Sequence, residues 1–253
     1  MNVAIEIPAD GPLFEGHFPG RPILPGIAEL VLVWRAGSGM WGPAEVSGIP
    51  FARFRGLVVP SDTLQISVER RGDSGGVRFE VRRGGELVAN GVMTSGVPHP
   101  ARLEATAVAS RAPRGAPPIH ELIPHRPPML FVEEILGVAE DGATCLARVP
   151  GDCALVVGGS APAFVALEAT AQTAAVWEAL RRSHPSGRAE ARMGYLVSLR
   201  DVMLHREWIP AETDLIASVR LVAQAAPLTT YAVEVSVEGE LALRGTIGTY
   251  LSG

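Results

Sequence analysis

Two short stretches of the chain hold residue types that can move protons. The first, residues 14–26, reads Phe-Glu-Gly-His-Phe-Pro-Gly-Arg-Pro-Ile-Leu-Pro-Gly, a loop in which glycines and prolines hem in one titratable group, His17. An imidazole with an ordinary pKa of about 6.5 can accept a proton at neutral pH. The second stretch is an apolar helical run in which Glu168 sits among Phe164, Val165, Ala166 and Leu167, with Gln172 four residues further on. That spacing puts Gln172 on the same helical face, where it can orient the carboxyl. An apolar helix rarely keeps an ionisable group without a use or a partner. Burial there is expected to raise the Glu168 pKa, so that it can hold or deliver a proton. Backbone N–H groups at the opening of this helix, around Ala163 and Phe164, lie unpaired at the positive end of the helix dipole and are candidates to hold a carbonyl oxygen. Pro25-Gly26 opens the other helical run at a position proline tolerates, which makes Gly26 a supporting residue of the His17 loop.

The elements that must position these groups come in two similar sets. Residues 58–68, VVPSDTLQISV, match 208–219, WIPAETDLIASV, with Pro60 against Pro210, Thr63 against Thr213 and acids at Asp62 and Glu212. Downstream, GELVANGVMT (85–94) matches GELALRGTIG (239–248). Upstream, Pro25 precedes the apolar run Ile27 to Ala36, and Pro162 precedes Phe164 to Leu180. Each set reads as a strand, a loop, one helix apolar almost all round and therefore buried, then antiparallel strands joined by turns. The second set carries an extra opening segment, residues 119–138. Between the sets lies a stretch rich in Pro, Ala and Arg with no strand alternation. The expected organisation is a unit at 1–96, a linker at 97–118 and a second unit at 119–253, an α+β chain folded as an internal pseudo-dimer.

HFPGRPILPG resembles the signature of the β-hydroxyacyl-acyl-carrier-protein dehydratases of the FabZ/FabA type, which have the hotdog fold. IPHRPPMLFVEEIL (123–136), ALEATAQTAA (166–175) and FARFRGLVVPSDTL (51–64) resemble the opening, the central helix and the following strand pair of the same enzymes. Together these segments touch most of the chain outside the linker. The resemblance implies a double hotdog similar to the paired dehydratases of aryl-polyene pathways, acting on (3R)-3-hydroxyacyl thioesters of acyl carrier protein or CoA without a metal or organic cofactor. The family places a carboxylate on the helix fourteen residues after the histidine. In the first half that position is Val31, and fourteen residues before Glu168 stands Ala154. The halves are broken in complementary ways. Because the family site lies between protomers, His17 and Glu168 are expected to form one intact site, and Val31 and Ala154 to mark a dead one. Dehydration needs a base at C2, a proton for the departing hydroxyl and donors for the thioester oxygen. The resemblance assigns the first two to His17 and Glu168. A hotdog thioesterase, an enoyl-CoA hydratase and a non-catalytic carrier-binding subunit are the alternatives.

Other signals carry less. His125 in IPHRPP reads as a structural hydrogen-bonder, and Gly-Asp-Ser-Gly-Gly at 72–76 as a hairpin turn between alternating segments. Arg181, Arg182, Arg188 and Arg192 follow the Glu168 helix and could receive an acidic carrier protein. The 253 residues carry a net charge of −5 with no long basic run, which argues against a nucleic-acid partner. Two cysteines, Cys145 and Cys153, exclude a disulfide scaffold and a cysteine-rich zinc site. The opening MNVAIEIPADG lacks the basic start and apolar core of a signal peptide, and residues 154–167 are too short to span a bilayer, so a cytoplasmic protein is expected, with any further homo-oligomer left open.

Overall fold

The computed structural model describes residues 1–41, 46–72, 75–96, 115–182 and 192–252. Most of the expected linker and the tip of the 72–76 turn lie outside them. The first half runs β1 (Asn2–Glu6), α1 (Gly26–Ala36), a short α2 (Ser38–Trp41), β2 (Val46–Phe54), β3 (Thr63–Arg71), β4 (Gly76–Arg83) and β5 (Glu86–Ser95). The second runs α3 (Ile119–Leu122), β6 (Val132–Ala139), β7 (Gly142–Ala147), β8 (Ser160–Pro162), a 3-10 turn (Ala163–Ala166) and α4 (Leu167–Arg182). It ends with β9 (Gly194–Leu204), β10 (Trp208–Pro210), β11 (Leu215–Ala225), β12 (Leu228–Val237) and β13 (Glu240–Leu251).

Among the described residues one sheet of eleven strands has the order β1-β3-β4-β5-β2-β9-β13-β12-β11-β7-β6, and β8 pairs with β10 apart from it. Read outward from its middle, β2-β5-β4-β3-β1 mirrors β9-β13-β12-β11-β7, so the repeat in the sequence is a repeat in space. The extra opening segment supplies β6, the strand with no counterpart. The two halves join where β2 and β9 pair antiparallel, Ile49 opposite Val202 and Ala52 opposite Leu199. Glycines permit this close seam: a Cβ at Gly48 would stand 2.8 Å from the Val202 carbonyl oxygen, and one at Gly245 2.8 Å from the Val202 Cα.

Strand alternation puts Leu64, Ile66 and Val68 of β3 and Phe79 and Val81 of β4 on the inner face, where α1 fills the curve of the sheet. In α1, Ile27 through Val33 are all buried. Each such aliphatic side chain contributes about 1.5–3 kcal/mol of burial free energy. α1 packs against the 3-10 turn that opens α4. α4 is buried by Leu167, Ala169, Val176 and Trp177, and the Trp177 indole donates to the Ala139 carbonyl at 3.1 Å. No helix among the described residues is long and apolar enough to cross a membrane. The architecture is the double hotdog the sequence implies.

Candidate active site

His17 is held by backbone on both sides. Its N–H donates to the Phe14 carbonyl at 3.0 Å, and its carbonyl accepts from the Ile23 N–H at 3.0 Å. The ring Nδ1 lies 2.8 Å from the Ile23 carbonyl oxygen. A carbonyl can only accept, so Nδ1 carries the proton and Nε2 of the neutral ring keeps a lone pair. The loop is docked on the second half at Gly16, whose carbonyl accepts from Arg126 N–H at 3.0 Å. A Cβ at Gly16 would overlap the Arg126 carbonyl, and the backbone there is left-handed (φ +79°), so glycine is required twice over.

That docking brings His17 to His125, with ring centroids 5.2 Å apart, and Phe18 lies edge-on to the same imidazole. His125 Nε2 in turn stands 3.4 Å from Glu168 Oε1. One ligand-type atom each of His17, His125 and Glu168 lies within 4.8 Å of the others, and all three side chains are buried. Tetrahedral coordination at about 2.0–2.1 Å brings donor atoms to about 3.3 Å of one another, tighter than this group stands. Glu168 is also already held by His125 and Gln172, so the arrangement suits proton transfer better than metal binding.

Gln172 is hydrogen-bonded at both ends of its amide. Its amide nitrogen donates to Glu168 Oε1 at 3.0 Å and to the Met129 carbonyl at 2.7 Å. Its amide oxygen accepts from the N–H groups of Phe131 and Val132 at 2.9 and 3.2 Å. The side chain therefore ties the Glu168 helix to the segment carrying His125.

The electrostatics correct one expectation. Burial does push the Glu168 carboxyl upward, but the His125 hydrogen bond and charge, His17 and the Gln172 amide together outweigh it. The net direction is below the ordinary carboxylate range, so Glu168 is ionised at neutral pH. Burial, with the nearby His125, lowers His17 to about 4, against a smaller upward pull from Glu168. At rest the site is thus a neutral imidazole beside a carboxylate.

This has a measurable consequence. An unfolded chain binds a proton at residue 17 at a higher pH than the folded one, so His17 contributes stability that is full above about 6.5 and lost as pH falls through about 4. Glu29, whose carboxyl burial raises well above its ordinary range, acts in the opposite sense. The difference between wild type and His17→Ala cancels the Glu29 contribution. In urea titrations that difference should grow by about 3 kcal/mol between pH 4 and pH 7, from 1.36 kcal/mol per pKa unit.

His17, His125, Glu168 and Gly26 line one cavity of about 350 Å³. Ala171, Ala174 and Ala175 form its wall along α4, and Glu178, Tyr195 and Tyr231 line it further along. The expected carbonyl donors are displaced. Ala163 N–H already donates to the Glu207 carbonyl at 2.9 Å, and neither Ala163 nor Phe164 lines the cavity. Gly26, at the first turn of α1 where helical N–H groups have no intrahelical acceptor, lines it instead. Val31 is buried in α1 and Ala154 half-buried, and neither lines this cavity.

The arginine group is only partly a free surface. Arg181 stacks over the Trp177 ring at 4.6 Å, and Arg182 pairs with Glu178 at 3.5 Å. Arg192 is exposed, and Arg188 lies outside the described residues.

Residues 117–252 match the ApeP-like family, described as ApeP dehydratase. The chain belongs to the ApeP-like dehydratases. Residues 1–92 match the ApeI-like family, described as ApeI dehydratase, so the chain carries an ApeI-like half ahead of its ApeP-like half. Among curated relatives, the 3-hydroxyacyl-[acyl-carrier-protein] dehydratase FabZ of Pelotomaculum thermopropionicum is 39% identical over 94 residues, 33% of this chain and 67% of that protein. FabZ of Desulforamulus reducens is 41% identical over 71 residues, 25% of this chain and 50% of that protein. The chain thus spans half to two thirds of the length of these two relatives. The dehydratase domain of RzxB from Pseudomonas fluorescens has the same fold, with a TM-score of 0.74 and 12% identity over 98% of this chain and 93% of that one. So does a trans-AT PKS dehydratase domain from Brevibacillus brevis, with a TM-score of 0.72 and 13% identity over 100% of this chain and 94% of that one.

Of two further side chains in the ApeP-like chain's site, Glu29 was not singled out from the sequence and His125 was read only as a structural hydrogen-bonder. Glu29 lines the cavity fully buried, and His125 partners Glu168 rather than serving only its own loop. Replacing His125 with Phe keeps a ring against Phe18 and His17 but removes the Glu168 partner and the charge that holds His17 down. Both effects raise the groups that must be unprotonated. The acid limb of kcat/KM should move to higher pH, with a 10–100-fold loss below neutrality, a shift that loss of packing alone would not produce.

Proposed function

We propose that the chain dehydrates (3R)-3-hydroxyacyl thioesters to trans-2-enoyl thioesters in fatty-acid-like or polyene biosynthesis, with one site shared by its two halves. The thioester is carried on acyl carrier protein, in keeping with the FabZ relatives, and Arg192 on the exposed surface is available to the acidic carrier. Residues 1–96 and 119–253 act as the two protomers of a pseudo-dimer joined by 97–118. The observation that carries this reading is the meeting of His17, from the loop before α1, with Glu168, from α4, in one buried cavity.

In this reading the Gly26 N–H holds the thioester oxygen as charge develops there. His17 Nε2 takes the proton from C2. The resulting imidazolium is stabilised by ionised Glu168, which also holds the C3 hydroxyl. The same proton returns to that hydroxyl as the C3–O bond breaks, so the C2–C3 double bond forms, water leaves and both side chains return to their resting charge. Gln172 and His125 keep the carboxylate aimed.

The test is to mix pure protein with a 3-hydroxyacyl thioester, on carrier protein and on CoA, and to follow enoyl absorbance and free thiol together. Enoyl without thiol is the expected result. Thiol without enoyl would make the chain a thioesterase, and neither, with retained carrier protein, a binding subunit.

A further inference from the structure

The cavity holds a carboxyl that the dehydration scheme does not use. Glu29 lies three residues after Gly26 on α1, lines the same cavity as His17 and Glu168, and is 3% exposed. Its Oε2 has no hydrogen-bond partner among the described residues. The fold gives no reason for an acid there. Its helical neighbours Ile27, Ala28, Leu30 and Val31 are buried apolar groups, and the adjoining cavity wall includes Leu24 and Phe54. Glu178, in the same cavity, shows the contrast: its Oε1 accepts from Tyr231 O–H at 2.8 Å and from Gln224 at 3.2 Å, and Arg182 faces its other oxygen. Burial raises Glu29 well above the ordinary carboxylate range, and a protonated carboxyl has one O–H to donate and an oxygen to accept. A buried polar group without a partner is unfavourable, and one kept facing a cavity is satisfied by what enters the cavity.

We infer that Glu29 is a binding residue for the thioester, hydrogen-bonding an uncharged polar group of the bound substrate. This deepens the dehydratase reading and rests on it for the identity of the ligand. Three residues of helix advance about 4.5 Å along the axis. A thioester whose oxygen sits at Gly26 therefore brings its next polar group within reach of Glu29. Two parts of such a substrate offer that chemistry, the amide of the thiol arm and an oxygen on the acyl chain.

Binding separates them without depending on turnover. The full chain, Glu29→Gln and Glu29→Leu are titrated by calorimetry with three saturated thioesters that cannot lose water. These are an alkanoyl N-acetylcysteamine thioester, the same acid on ethanethiol, and an ω-hydroxyalkanoyl ethanethiol ester. Glu29→Leu should weaken binding at least fivefold for the probe bearing the group Glu29 holds, and less than twofold for the plain ethanethiol ester. A selective loss on the first probe assigns the amide, and on the third the acyl oxygen. Glu29→Gln, still hydrogen-bonding, should retain most of the preference. With its orphan carboxyl gone, the Leu variant should also melt higher, by about 3 °C or more for a chain of this size. An equal effect on all three probes, no effect on any, no binding of any probe by wild type, or a lower melting point for Leu would overturn the assignment. Failure of the dehydratase reading shows separately, as no enoyl product from the 3-hydroxy substrates.

Discussion

His17→Ala and Glu168→Gln each lose about a thousandfold or more in kcat/KM for enoyl formation, while Val31→Ala stays within threefold of wild type. Loss of a positioned acid or base typically costs a factor of about 10²–10⁴, and here Glu168 also stabilises the charge formed on His17. His17→Ala gives up one hydrogen bond, to the Ile23 carbonyl, worth about 1 kcal/mol, and the loop keeps the Ile23 N–H bond to the residue 17 carbonyl. It should fold, and circular dichroism and a cooperative melt check that it does. Glu168→Gln keeps the shape and a hydrogen-bonding group but removes the charge facing the imidazolium. Val31 occupies the matching helical position in the first half, so its truncation costs stability through a small cavity without touching the chemistry. Equal activity in all three variants would contradict the assignment.

Gln172→Leu unfolds the chain at markedly lower denaturant. The substitution keeps the volume but strands the Phe131 and Val132 N–H groups, the Met129 carbonyl and one side of Glu168, all in the interior. At about 1–3 kcal/mol for each buried polar group left unpaired, with partial relaxation, the expected loss is about 4 kcal/mol. Gln172→Glu is the informative partner. It preserves the acceptor for the two N–H groups but faces Glu168 with a second carboxyl, so it should recover part of the stability and little of the activity. Urea titrations of the two variants against wild type measure both effects. A loss under 1 kcal/mol for Gln172→Leu would mean that the 129–132 segment finds other partners.

Much of this was legible in the residues. The repeat of turn and strand around Pro60 and Pro210, and of the GEL strands, showed two like units, because turn chemistry and period-two alternation are local. The complementary losses at Val31 and Ala154 pointed to a site made from both halves. The charge state of Glu168 was not legible, because it depends on a hydrogen bond from His125, 43 positions away in sequence and adjacent only once the 129–132 segment is tied to α4 by Gln172. The same distance hid the choice between helix openings: the Ala163 N–H is taken by the Glu207 carbonyl, a contact no local pattern encodes. Glu29 could have been found. An acid inside the apolar run Ile27 to Ala36 is the same signal that singled out Glu168, and it applied equally to the first helix.

The most direct measurement is enoyl formation by an equimolar mixture of His17→Ala and Glu168→Gln chains, with each variant alone and wild type beside it. If one chain builds one site from its own two halves, neither partner can repair the other, and the mixture should stay as inactive as its components while wild type turns over. Recovery in the mixture to a sizeable fraction of wild type would mean that His17 and Glu168 meet between chains, and would contradict the internal composite site.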